Sequence, residues 1–177
     1  MNPWLKEGRQ SKITGQIQKI ASNFSGDDFK KVKNILSWMT GNTKKCRDEK
    51  KVLAIFATRT ADKVLKDKFT TGCHDEALVF ATLCRAAGIP AKYLVGINKT
   101  DPRNSGHCAV EIYIDGSWVL VDQSKNVIYL NPARSHFYHW HFIIGTGLDS
   151  WDNGIKSFKT WQDKSNKVIQ HIAKLKT

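Results

Sequence analysis

Three residues of this 177-residue chain have types and spacings that suit nucleophilic catalysis: Cys73, His107 and Asp122. Cys73 heads the segment TTGCHDEALVFATLCRAAGIP, residues 70–90, in which Cys73, Ala77, Phe80, Ala81 and Cys84 recur at helical steps and form an apolar stripe. A thiol in the first turn of a helix meets unpaired backbone amides and the positive end of the dipole. Both favour thiolate over thiol and can hold a developing oxyanion. His107 and Asp122 flank Asp115-Gly116, a two-residue hairpin signal between alternating segments. With Ile114 opposite Ser117, facing positions sum to 231. His107 is then the diagonal neighbour of Asp122, with backbones roughly 7–8 Å apart and side chains able to meet. A carboxylate so placed fixes the imidazole tautomer and leaves the other ring nitrogen to hold or take a proton. What joins thiol to imidazole is a tertiary contact across 34 residues of chain, which spacing does not supply.

The elements that must position these residues follow from the periodicity. The first two dozen residues are polar with scattered apolar positions, and suggest at most a loosely docked helix. Ser25-Gly26-Asp27-Asp28 supplies N-cap oxygens, after which Phe29, Val32, Leu36 and Met39 recur at helical spacing until Gly41. A charged connection (NTKKCRDEK, 42–50) leads to a second helix carrying Val52, Ile55, Phe56, Ala61, Val64 and Leu65. Thr70 and Thr71 offer caps for the cysteine helix, Glu76 strengthens its first turn, and Ala87-Gly88-Ile89-Pro90 ends it. Beyond Pro90 the period becomes two, giving strands at 91–98, 107–114, 117–122 and 126–130, with a loop at 99–106. On the hairpin, His107, Ala109, Glu111 and Tyr113 share a face with Trp118, Leu120 and Asp122. Cys108, Val110, Ile112, Val119 and Val121 form the apolar other face. An aromatic-rich stretch (Phe137, Tyr138, Trp140, Phe142, Trp151, Phe158, Trp161) precedes a basic helical tail. Helices first and antiparallel strands second make the fold class α+β, with N-terminal helices packed on an antiparallel β-sheet.

Length predicts one domain, 1–177, with a core at about 25–150 and an extension at about 151–177. Lysine and arginine number 28 against 16 acidic residues, a net charge of +12 that favours anionic neighbours in general without naming one. We read it as a solvated lysine surface, not a nucleic-acid footprint. No run of roughly 18 apolar residues could span a membrane. The start, MNPWLKEGRQSKITGQ, lacks the pattern of a secretory leader, so the expected location is cytoplasmic, or secreted if a leader has been removed. Cys46, Cys73, Cys84 and Cys108 form no Cys-x-x-Cys pair and are too sparse for a disulfide scaffold.

Residues 70–122 resemble the core of the transglutaminase-like superfamily. The matching pieces are TGCHDEALVFATLCRAAGIPAKYLVG and GHCAVEIYIDGSWVLVDQS, in the family's order of cysteine, histidine and aspartate, and GLDSWDNGI (147–155) is similar to a C-terminal segment of bacterial and archaeal members. The resemblance implies a papain-like fold, with Cys73 as nucleophile, His107 as base and Asp122 as orienting acid. It implies a cysteine hydrolase or acyltransferase acting on amide bonds of a protein or peptide substrate through a thioester intermediate, with no cofactor. An upstream aromatic or amide side chain often completes the oxyanion hole in this superfamily, and Trp38 is the candidate here. The calcium-binding insertions of animal members have no visible counterpart, so no calcium requirement is expected.

The remaining chemistry-bearing residues have plainer readings. Cys84 and Cys108 fall on apolar positions and belong to the core, whereas Cys46 sits in a charged, exposed loop. His136, His139 and His141 lack cysteine or acidic partners at a zinc spacing, so alternating aromatics lining a core or groove is the expectation, and no metal. Glu111 is either at the cleft edge or paired with a lysine, His74 either tunes the site or faces solvent, and Trp118 and Trp140 are candidates for cleft walls. Two rivals to the enzyme reading remain. One is a basic binding module for nucleic acid or protein, and the other a non-catalytic interaction domain on the same fold.

Overall fold

The computed structural model describes residues 2–103 and 105–174. Helix α1 (Gly15–Ala21) starts where the Thr14 hydroxyl accepts from the Ile17 amide, and α2 (Asp28–Asn42) where the Asp27 carboxylate accepts from the Lys30 amide. The loose docking expected of α1 is corrected: Ile17 is completely buried. The segment before it is also tied down, because the amides of Gln10 and Ser11 donate to the Asp149 carboxylate at 3.0 and 3.1 Å. A short strand β1 (Lys44–Lys45) follows.

The expected second helix is in fact two, α3 (Glu49–Ile55) and α4 (Ala61–Asp67). Ala57 between them has φ of 55°, a left-handed conformation through which an α-helix cannot continue, and Thr60 then caps α4. Strand β2 (Phe69–Thr70) pairs in parallel with β1.

Helix α5 (Cys73–Ala86) begins at Cys73 but is not capped by Thr70 or Thr71; its N-cap is Gly72, at φ 138°, which has no side-chain oxygen to offer. The preceding turn is instead tied to the helix by Asp75, whose Oδ2 reaches back to accept from the Thr71 amide at 2.9 Å and hydroxyl at 2.8 Å. The other end is as the sequence predicts: Gly88 takes φ of 84°, and the Ile89 amide donates to the Cys84 carbonyl at 2.8 Å. A single apolar stripe is too narrow a description of α5. From His74 to Arg85 every side chain except that of Glu76 is buried, which makes α5 the central helix, with α1, α2 and α4 against it and the sheet beyond.

Strands β3 (Ala91–Asn98), β4 (Gly106–Ile114), β5 (Ser117–Asp122) and β6 (Val127–Tyr129) follow, then α6 (His136–Trp140), β7 (His141–Gly147) and α7 (Phe158–Lys174). The sheet order is β6-β5-β4-β3-β7, antiparallel at every pairing. Asp115 and Gly116 both have positive φ, 48° and 79°, as a twist-matched two-residue turn requires. The β4–β5 register runs from Ile114↔Ser117 to Val110↔Val121, as the sequence predicts. Tyr93, Val95, Cys108, Val110, Ile112, Val119 and Val121 face the helices, while Leu94, Ala109, Leu120 and Phe137 form a smaller cluster on the opposite face.

Candidate active site

Cys73 is the first residue of α5, half-buried, and lines one pocket together with His107 and Cys108 from β4. His107 Nε2 lies 3.0 Å from Asp122 Oδ1, across the hairpin diagonal. With Nε2 occupied by the carboxylate, Nδ1 is the ring nitrogen left for the thiol. Asp122 is 1 % exposed and is also 3.5 Å from the Lys125 ammonium. Burial alone would raise its pKa, but His107 and Lys125 hold the carboxyl below the usual carboxylate range.

The same balance acts on the other two groups. Burial disfavours protonated His107, yet hydrogen bonds to Asp122 and Cys73, and the charges of both, push its pKa up to about 10. A hydrogen bond from Cys108 is the largest influence on Cys73. Burial opposes it, but His107 and the nearby His74 add to it, and the Cys73 thiol ends well below the ordinary cysteine range. Cys108 is driven the other way by that contact and by burial, so it stays a thiol and a donor. Both shifts run in the direction that favours a thiolate–imidazolium pair.

That assignment has a pH signature. Carbamidomethylation of Cys73 is expected to have reached its plateau at neutral pH, where an ordinary thiol with pKa near 8.5 is still rising, and to change again at about pH 10 as His107 loses its proton. Rate against pH, read by peptide mass spectrometry, checks this; a single step at the ordinary thiol pKa would refute the ion pair.

The pocket measures about 160 Å³, and Phe56, Val95, Ile155, Phe158 and Trp161 give it an apolar wall. Phe158 and Trp161 belong to α7, so this helix helps to build the pocket. Trp161 stacks on Phe158 at 5.5 Å and sits over Gly106, the residue before His107. A methyl at Gly106 would lie 2.9 Å from Trp161 Cζ2 and 3.0 Å from the Gly96 carbonyl. Gly106→Ala should therefore cost about 1–3 kcal/mol, seen as a lower urea midpoint with altered tryptophan fluorescence; an unchanged midpoint would mean that α7 yields freely.

The structure gathers Cys73, His107 and Asp122 but does not bring Trp38 to them. Trp38 packs edge-on to Phe24 at 6.3 Å, because its place on α2 turns it towards Phe24 and the core. Trp118 lies beneath the Lys92 ammonium and against Trp4, and Trp140 is exposed; neither lines the pocket. Glu111 is lysine-paired, 3.3 Å from Lys92 Nζ, and accepts from the Tyr138 hydroxyl at 2.7 Å. His74 does not face solvent: it is 4 % exposed, accepts at Nε2 from the Ala57 amide and stacks near Phe56. Among the described residues no three of His, Cys, Asp and Glu gather as a metal-binding group. His141 stacks on Phe137 and bonds its carbonyl. Cys46 is half-buried rather than exposed, and Cys84 lies in the core as expected.

Sequence reasoning passed over three site residues. Cys108 is in the core but also touches the nucleophile candidate; Tyr93 donates to Cys108 Sγ at 3.2 Å; and Gln123 Nε2 donates to the carbonyls of both Cys73 and Cys108, at 3.2 and 3.0 Å. Alternation gave the one available signal, since Cys108, the next residue after His107, falls on the apolar face that meets α5.

Comparison with known proteins agrees with this architecture. The model of the transglutaminase-like superfamily matches residues 17–123. No curated protein matches the chain at a significant level. A Cytophaga hutchinsonii protein of known structure, described as a candidate cysteine protease, superposes with a TM-score of 0.64 at 24 % identity, over 85 % of this chain and 47 % of that one. The chain thus spans about half the length of that relative, and the likeness is one of fold. A candidate protease from Parabacteroides distasonis (TM-score 0.48, 23 % identity, 66 % of this chain and 24 % of that one) is more distant. So is LapG from Legionella pneumophila (0.47, 16 %, 86 % and 95 %). No helix among the described residues is long and apolar enough to cross a membrane.

Proposed function

Because the chain belongs to the transglutaminase-like superfamily, we propose that it is a cysteine hydrolase or acyltransferase acting on amide bonds of a protein or peptide, with Cys73, His107 and Asp122 as its working residues. The observation that carries the reading is the shared pocket. A thiol at a helix N-terminus and an imidazole bonded to a buried carboxylate line one apolar cavity.

The proposed chemistry uses each group once in each half-reaction. The Cys73 thiolate attacks the amide carbon, and the carbonyl electrons move onto oxygen, near the amides of the first turn of α5. Protonated His107 gives its proton to the departing amine as the C–N bond breaks, leaving a thioester. Neutral His107 then takes a proton from water or from an acceptor amine, which attacks the thioester and releases the thiolate. Asp122 keeps the ring oriented throughout. An apolar pocket smaller than the roughly 300 Å³ of a typical small-molecule site suits one hydrophobic side chain beside the reacting carbonyl.

Incubation with a library of proteome-derived peptides, read by mass spectrometry, tests this. Wild type should produce new termini, amide-to-acid changes or new N-substituted amides, with apolar residues enriched at the site, and Cys73→Ala should produce none. Equal patterns from the two proteins would overturn the reading.

A further inference from the structure

The nucleophile candidate has a second thiol beside it. One amide nitrogen, Gln123 Nε2, bonds the carbonyls of Cys73 and Cys108 at once, at 3.2 and 3.0 Å, which clamps the start of α5 to β4 at these two residues. The Tyr93 hydroxyl makes a second clamp: it lies 3.2 Å from Cys108 Sγ and 3.4 Å from the carbonyl of His74, the residue after Cys73. Both cysteines line the same pocket, Cys73 half-buried and Cys108 only 6 % exposed. The amide-bond chemistry above has no use for Cys108, and a valine or alanine would fill its apolar position as well.

We propose that Cys73 and Cys108 form a peroxide-responsive pair, in which Cys73 is oxidised by a hydroperoxide and Cys108 captures the product as a reversible disulfide. The inference rests on the reading of Cys73 as a reactive thiolate. Oxidation begins when Cys73 Sγ attacks one peroxide oxygen. The O–O bond breaks, hydroxide leaves and takes a proton, and Cys73 becomes a sulfenic acid. Cys108 then loses its proton and attacks the sulfenic sulfur. The S–O bond breaks, water leaves and the S–S bond forms. Two thiols lose two electrons in total, and one hydrogen peroxide becomes two waters.

Each feature suits one step. The thiolate character of Cys73 and its place on an open pocket favour the first attack, since susceptibility follows ionisation and access. Cys108, held as a neutral thiol by its contact with Cys73 and by burial, is shielded from peroxide itself but lies in the same pocket as the sulfur it must trap. The outcome protects Cys73 from the irreversible sulfinic stage while amide chemistry is switched off, and a thiol reductant restores both. Cys84 is buried in the core away from the pocket, and Cys46 sits between β1 and α3, so neither competes for Cys73.

The test uses the full chain, an equivalent of hydrogen peroxide, and dimedone as the sulfenic trap. Wild type should lose about 2 Da, give a Cys73–Cys108 cross-linked peptide, take up little dimedone, and recover completely with dithiothreitol. Cys108→Ser should instead carry dimedone on Cys73, at several-fold higher yield, and pass to the sulfinic acid without the trap. The proposal falls if wild type and Cys108→Ser trap dimedone on Cys73 equally, if the cross-link joins other cysteines, or if Cys73 resists peroxide. Should Cys108→Ser fail to fold, the wild-type cross-link map decides alone. A cross-link without peptide turnover would leave this inference standing and remove the enzyme reading; turnover without a cross-link would do the reverse.

Discussion

Cys73→Ser should lower amide turnover by about 10⁴-fold or more while leaving the fold intact. The size of the effect follows from how the surroundings are matched to sulfur. Cys108, His107 and His74 all favour an anion on the Cys73 side chain, and together they overcome its burial. A hydroxyl is far less acidic than a thiol, so the same surroundings cannot ionise it. His107, pushed up to about 10 by Asp122 and the thiolate, then loses one of the charges that keep it protonated. The serine variant has neither a preformed nucleophile nor the ion pair that supplies the leaving-group proton. Its side chain is nearly isosteric, so circular dichroism and the urea midpoint should match wild type within about 1 kcal/mol. Residual turnover above a thousandth of wild type would show that the chemistry runs through another group, and the triad assignment would have to be abandoned.

The hairpin half of this site was legible because β-structure is arithmetic. Once Asp115-Gly116 is a two-residue turn, the alternation of side chains leaves one register, and that register puts His107 beside Asp122. Cys73 at the head of α5 was legible too, from the apolar stripe and the Gly88 stop. The contact between the halves depends on α5 crossing the sheet face at Cys108, which no local pattern encodes; only the family resemblance supplied it. The same limit explains Trp38 and Trp161. Both are aromatic residues on amphipathic helices, and nothing in their own neighbourhoods says which helix packs over Gly106.

Other departures have local causes that sequence patterns understate. The break between α3 and α4 has neither glycine nor proline. Ala57 is held at positive φ by tertiary bonds: its amide donates to His74 Nε2, and its carbonyl accepts from the Trp151 indole at 2.7 Å. Strand β7 contains Gly145 and Gly147, whose missing side chains leave room for Asn153 and Asp152, so it shows no alternation to recognise. In both places backbone conformation is set by residues about a hundred positions away or by a following loop. GLDSWDNGI, which served above only as a resemblance, is that set of partners: Asp149 and Ser150 hold the N-terminal segment, and Trp151 holds Ala57.

The largest stability effect should come from Asp75, two residues beyond the candidate nucleophile. Its side chain is completely buried and ion-paired with Arg59, whose side chain is 6 % exposed. Arg59 also reaches Asp67 at 3.0 Å and lies over the Phe69 ring at 4.3 Å. Asp75→Ala would leave a buried guanidinium with one partly exposed partner, and would strip the Thr71 amide and hydroxyl of their acceptor. Removing one member of a buried pair typically costs about 3–5 kcal/mol, mostly from the charge left behind. That is a large share of the roughly 5–15 kcal/mol by which domains are stable. If the orphaned charge is the cause, Arg59→Met on the Asp75→Ala background should recover about half of the loss, since methionine fills similar space without needing a partner. If the cause is instead the lost acceptor at Thr71, Arg59→Met should recover nothing and Asp75→Asn should be close to wild type. Urea denaturation of wild type and the three variants separates the two. A loss under about 1 kcal/mol for Asp75→Ala would mean that water reaches the pair and that the turn presenting Cys73 is held by other contacts.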